Sequence, residues 1–168
     1  VATANPEDYT NRGRIITPLK DRYGAQIRTH YPTAVKDEIL IVDQERTSSL
    51  NGQEVYMPYY MKEIVAEITA LARTSSDINQ RSGVSVRVSI SNHDTIVGNA
   101  LRRSIRLKEK KAVPRITDLP FIVASFTGKI ELETFEEGRE GRIIEDLTKK
   151  ALINVFERHF ELRELESI

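Results

Sequence analysis

From residue 33 onward, apolar side chains recur mostly at helical spacing. Val35, Ile39 and Val42 fall at i, i+4 and i+7, which predicts an amphipathic helix running to about residue 46. A polar loop with Asn51-Gly52 at its centre follows, over 47–53. After Pro58, the positions Met61, Ile64, Val65, Ile68, Leu71 and Ala72 make a wide apolar stripe that fades near 74–76. Ser85 stands where an N-cap belongs. Behind it Ile90, Val97, Leu101 and Ile105 repeat at helical spacing, with Val88 and Ala100 alongside. Thr117 is the expected cap of a short helix over 121–126, with Pro120 tolerated in its first turn. Residues 128–135 alternate through Ile130, Leu132 and Phe135 and predict a short strand, with a turn at 136–138. A last helix is expected over 139–163. Ile144, Leu147, Ala151 and Val155 form one of its stripes, and Leu152, Phe156 and Phe160 an adjacent one. That broad apolar face suits packing on the other helices or on another chain.

The first thirty-two residues read differently. The small-residue run over 1–5 has the character of the end of a buried strand, and it must stop at Pro6, which cannot donate to a sheet ladder. Asn5 therefore stands at the strand's carboxyl end, where α/β proteins open their ligand crevices. A polar loop over 7–18 turns at Asn11 and Gly13. Leu19-Lys20-Asp21-Arg22-Tyr23-Gly24 leads into an alternating segment, 25–30, which predicts a second short strand before Tyr31-Pro32. Since the run over 1–5 looks like a strand entered midway and the first residue is not Met, a piece of a longer chain is expected.

Composition narrows the chemistry. The 168 residues suffice for one domain or parts of two. Lys plus Arg and Asp plus Glu number 25 each, so no global field recruits nucleic acid. There is no Cys, hence no disulfide or thiolate metal site, in keeping with a reducing, cytoplasmic setting. No apolar run approaches the roughly 18–20 residues a membrane span requires. The three histidines, His30, His93 and His159, lie far apart, so a metal site is not expected. Glu131, Glu133, Glu136 and Glu137 crowd one stretch without a His nearby and read as a solvated face. The basic run Arg102, Arg103, Arg106, Lys108, Lys110 and Lys111 reads as helix-end chemistry, because cations suit the last turns of a helix and no aromatic residues interleave with it. Phosphate-loop chemistry is missing: the one Gly-Lys pair, Gly128-Lys129, is followed by Ile130 and has no Gly five residues before it. An apolar strand ending in paired acids that could hold Mg²⁺ is missing too.

Arg87 is the oddest placement. It falls in the first turn of the expected long helix, where the helix already carries partial positive charge, and a cation there makes sense beside an anion. It lies within Gly83-Val84-Ser85-Val86-Arg87-Val88-Ser89. Two stretches in this order, Ala-Thr-x-Asn-Pro at 2–6 followed by Leu-Lys-Asp-Arg-Tyr at 19–23 and Tyr31-Pro32, and then the Gly-x-Ser-x-Arg-x-Ser element, resemble the MoxR and magnesium-chelatase branch of the AAA+ ATPases. Val86 departs from that pattern, which usually has Pro; Thr117-Asp118-Leu119 is a partial match to an element that opens the last lid helix; beyond about residue 126 the resemblance is weak.

The resemblance implies a mainly α fold: a helical AAA+ lid following the last strands of a truncated α/β P-loop ATPase core. Residues 1–32 would be the end of the core, 33–126 the lid, and 127–168 an extended segment plus a C-terminal helix. It puts sensor 1, which positions the attacking water, on Asn5. It puts the arginine finger on Arg22, with Arg14 and then Arg12 in reserve, and sensor 2, which contacts the phosphates of ATP, on Arg87. ATP and Mg²⁺ would be bound by the full-length parent and not tightly by this segment alone. The implied partners are neighbouring subunits of a homo-oligomeric ring and a remodelled protein. The residues taken without the resemblance leave other readings open. The loop over 7–18 could be plain surface, Asp21-Arg22 a surface pair, and Arg87 a solvated helix residue, in a non-enzymatic helical regulatory or interaction module that binds protein or DNA.

Overall fold

The computed structural model describes residues 21–46, 54–80, 82–133 and 138–160 and, singly, Thr3. The chain divides into two units, Val1–His30 and Tyr31–Ile168. In the first, Asp21 and Arg22 lie in a turn, and 21–30 are exposed throughout. The strand expected over 25–30 is not formed. Alternation alone does not make a strand; its N–H and C=O groups need a neighbouring ladder, and none pairs with this segment among the described residues.

The second unit is mainly helical. Helix α1 (Val35–Glu45) buries Ile39 and Val42, as its spacing predicts, and also Glu38. A two-residue strand β1 (Glu54–Val55) precedes α2 (Tyr59–Ala72), which buries Met61, Ile64, Val65 and Ile68. Helix α3 (Arg87–Leu107) leads to β2 (Lys111–Ala112), which pairs in parallel with β1, Glu54 opposite Lys111 and Val55 opposite Ala112. A 3-10 helix (Ile116–Phe121) runs into α4 (Ile122–Thr127), and α5 (Arg139–His159) closes the described fold. Helix α2 is central and packs on α1, α3 and α5. The core gathers Met61, Ile68, Ile96, Leu119, Phe126 and Ile144 from five of these elements. No helix among the described residues is long and apolar enough to cross a membrane.

Three local expectations are corrected. The buried face of α3 is Val88, Ser89, Asn92, His93, Ile96, Val97, Ala100 and Ser104. It is rotated from the expected stripe, so Ile105 is exposed; half of the buried face is polar and did not register as an apolar stripe. The 3-10 helix is not capped by Thr117. Asp118 reaches back instead, its Oδ2 accepting the Arg115 N–H at 2.8 Å, while the Asp118 N–H donates to the Arg115 carbonyl. In place of a strand over 128–135, Leu132 makes one antiparallel bridge to Ile78, flanked by Asn79 N–H to Glu131 O and Glu133 N–H to Asp77 O. Phe135, Glu136 and Glu137 lie outside the described residues. On α5, Ile144, Leu147, Ala151 and Val155 are buried as expected, whereas Phe156 and Phe160 stack on each other in the open, ring centroids 4.7 Å apart.

Candidate functional site

The N-terminal turn of α3 is built by a left-handed glycine, a serine cap and a buried charge pair. Gly83 has φ +70°, a conformation that suits a residue without Cβ, and a side chain there would run into the Tyr31 hydroxyl. Two residues on, the Ser85 hydroxyl accepts the Arg87 N–H at 3.0 Å, and the Val88 N–H donates to the Ser85 carbonyl. Ser85 stands one residue ahead of the cap position, Val86, and its hydroxyl satisfies one of the orphan donors of the first turn. Val86 lies at φ −56°, ψ −21°, inside the range that proline enforces.

Behind this turn, Arg73 follows the end of α2. Its guanidinium grips Glu38 of α1 with two hydrogen bonds, 2.6 and 3.0 Å, and its Nε donates to the Val84 carbonyl at 2.9 Å. The Glu38 carboxylate, 2% exposed, also accepts from Ser89 Oγ at 2.6 Å, and Ser89 Oγ lies 2.7 Å from Thr69 Oγ1. The Tyr31 ring lies against the Arg73 guanidinium, 4.8 Å from centroid to Cζ. Two residues that flank Arg87, Val84 and Ser89, are therefore fastened to α1 and α2 through one charge pair. A planar, bidentate guanidinium suits this task and an ammonium does not.

Arg87 itself is exposed and, among the described residues, its guanidinium makes no ion pair. Its first turn contains no acidic residue. The arrangement fixes the backbone that carries Arg87 and offers its charge, reinforced by the helix dipole, to an anion approaching from solvent. Arg22, in the first unit, is likewise exposed and makes no ion pair among the described residues, so Asp21 and Arg22 do not form the surface pair that was the alternative. Asn5, Arg12 and Arg14 lie outside the described residues.

Nearby, His93 is 3% exposed among Ile39, Val42, Lys62 and Val65. Burial lowers its pKa below the ordinary 6.5, against the opposing pull of Asp94, whose Oδ1 lies 3.2 Å from Nδ1. His30 is exposed, and His159 Nε2 lies 2.6 Å from Glu63. Among the described residues no three His, Asp or Glu side chains converge as a metal site.

Sequence reasoning passed over Glu38, Thr69 and Arg73, and took Ser89 only as part of the Gly-x-Ser-x-Arg-x-Ser element. The available signal was a carboxylate beside Ile39 on the apolar face of α1, matched by an arginine just past the stripe of α2. No protein-family model, curated protein or solved structure matches the chain.

Proposed function

We propose that this chain is the C-terminal, lid-bearing portion of an AAA+ ATPase of the MoxR and magnesium-chelatase kind, which couples ATP binding and hydrolysis to remodelling of a partner protein. The proposal rests on the order of the Asn-Pro, Asp-Arg-Tyr and Gly-x-Ser-x-Arg-x-Ser elements. The observation that carries it is the setting of Arg87, an exposed cation that makes no ion pair among the described residues, on the capped first turn of a 21-residue helix. That setting fits a phosphate oxygen.

In this reading Arg87 holds phosphate in cis, Asn5 orients the attacking water, and Arg22 reaches the ATP of a neighbouring subunit. There it neutralises charge that builds on the transferring phosphoryl group. The phosphate loop and the Mg²⁺ ligands belong to the parent's core, and the segment alone is expected to be inactive. Steady-state ATP hydrolysis by the parent, wild type against Arg22→Ala, tests the assignment. A fall of about 10³–10⁵ in turnover with ATP binding retained is the expected result. Unchanged turnover would remove Arg22 from the mechanism and shift the role to Arg14. A second reading, a non-enzymatic interaction module, draws on Ile153 and Phe156, exposed on α5, and on Phe160, exposed just past its end. It is adopted if the folded parent hydrolyses no ATP in the presence of its partner.

A further inference from the structure

Between Arg102 and Arg115 the chain carries seven cationic side chains and a single carboxylate, Glu109. In sequence no aromatic residue interleaves with this run, but the fold supplies one. Phe121, 45% exposed at the end of the 3-10 helix, lies under Arg102, the guanidinium carbon 5.4 Å from the ring centroid. Arg102, Arg103 and Arg106 form one wall of a cleft of about 390 Å³, and Thr117, Asp118 and Phe121 form the other.

The charges in and around this cleft do not cancel. Asp118 is 1% exposed and already engaged by Arg103, by Asn99 Nδ2 at 2.6 Å and by the Arg115 N–H. The other amino group of Arg103 donates to the Val113 carbonyl at 2.6 Å, so Arg103 is structural. Glu109 accepts from Arg115 at 3.1 Å, and Glu54 from Lys111 at 2.5 Å. Arg102 donates only to the neutral Asn99 amide oxygen, and Arg106 and Lys108 make no ion pair among the described residues. Among the described residues Arg102, Arg106 and Lys108 are thus left without an ion pair, on a chain that is neutral overall. The pairing of β1 with β2 brings a second ring to the basic run, because Tyr56 donates its N–H to the Ala112 carbonyl and leaves its side chain exposed.

We infer that this surface binds a single strand of nucleic acid, with phosphates on Arg102, Arg106 and Lys108 and unpaired bases stacked on the Arg102–Phe121 pair and on Tyr56. Cations alone would serve any polyanion. Exposed rings beside them add the stacking sites that a strand with unpaired bases uses. The fixed guanidinium plane over Phe121 extends the stacking platform.

The test is fluorescence anisotropy of the full chain with a labelled single-stranded oligonucleotide of about 12 nucleotides, a length within the usual site sizes. Binding is expected to weaken about tenfold between roughly 50 and 200 mM salt. Arg102→Ala with Arg106→Ala should lower both the affinity and the salt slope. Phe121→Leu should weaken binding about tenfold and leave the slope unchanged, because stacking releases no counterions. All three side chains are at the surface, and unchanged circular dichroism confirms that the variants fold; Arg102→Lys, which keeps the charge, should retain the slope. No binding at low salt would overturn the inference. So would equal binding of polyglutamate, a phosphorylated peptide or duplex DNA, or an unaffected Phe121→Leu variant.

Discussion

At the residue scale, the Glu38 carboxylate is the most exacting group in the described structure. It is buried and answered by one guanidinium and one hydroxyl. Removing Arg73 strands it: Arg73→Ala is expected to destabilise the fold by about 3–5 kcal/mol, read as a lower midpoint in urea. Replacing Glu38 and Arg73 together by Met should recover most of that loss, since no unpaired charge is then left inside. His93 gives the second prediction at this scale. Its folded pKa lies below the unfolded value near 6.5, so between the two the unfolded chain binds a proton that the folded chain does not. The stability from this group is complete above about 6.5 and is lost as pH falls through that window. Asp94, Asp43, Arg46 and Lys62 also face the ring. A melting series in acid should show the slope, and His93→Leu should flatten it.

At the scale of elements, the helices are legible wherever the buried face is apolar. The stripes of α1 and α2 and the inner stripe of α5 emerge at their observed positions because helical spacing and burial agree there. Helix α3 is legible as a helix but not in its orientation, because Ser89, Asn92, His93 and Ser104 occupy its buried face. Ser89 and Asn92 are met inside by groups far off in sequence, Glu38 on Ser89 and Ser125 Oγ on Asn92 Oδ1, and no local pattern announces them. The paired strands β1 and β2 are too short for a period to appear. The capped turn of α3 has testable energetics. Ser85→Ala should cost about 1 kcal/mol, the usual loss for an N-cap hydroxyl. Val86→Pro should be neutral or stabilise by about 0.4–1 kcal/mol, since φ already lies in the proline range. Gly83→Ala should destabilise by more than the cap, combining a left-handed backbone with a clash against Tyr31. Denaturant titrations of the three variants rank these effects.

At the scale of the whole molecule, the candidate site was half legible. Arg87 was found from its misfit, a cation at the positive end of a helix, and the structure places it on that turn, exposed. The clamp behind it was not found, because Glu38, Arg73 and Ser89 meet only after three helices have packed. Arg22 and Arg87 belong to different units, and under the proposed function a catalytic role for either depends on the full-length parent. The most direct measurement is the affinity of that parent for ATP, wild type against Arg87→Ala, with Arg87→Lys beside them. Loss of a charge-assisted hydrogen bond of about 1.5–3 kcal/mol should weaken ATP binding roughly ten- to a hundredfold, with partial recovery in the lysine variant. Equal ATP affinity in all three proteins would contradict the account and return Arg87 to a solvated residue at the start of a helix.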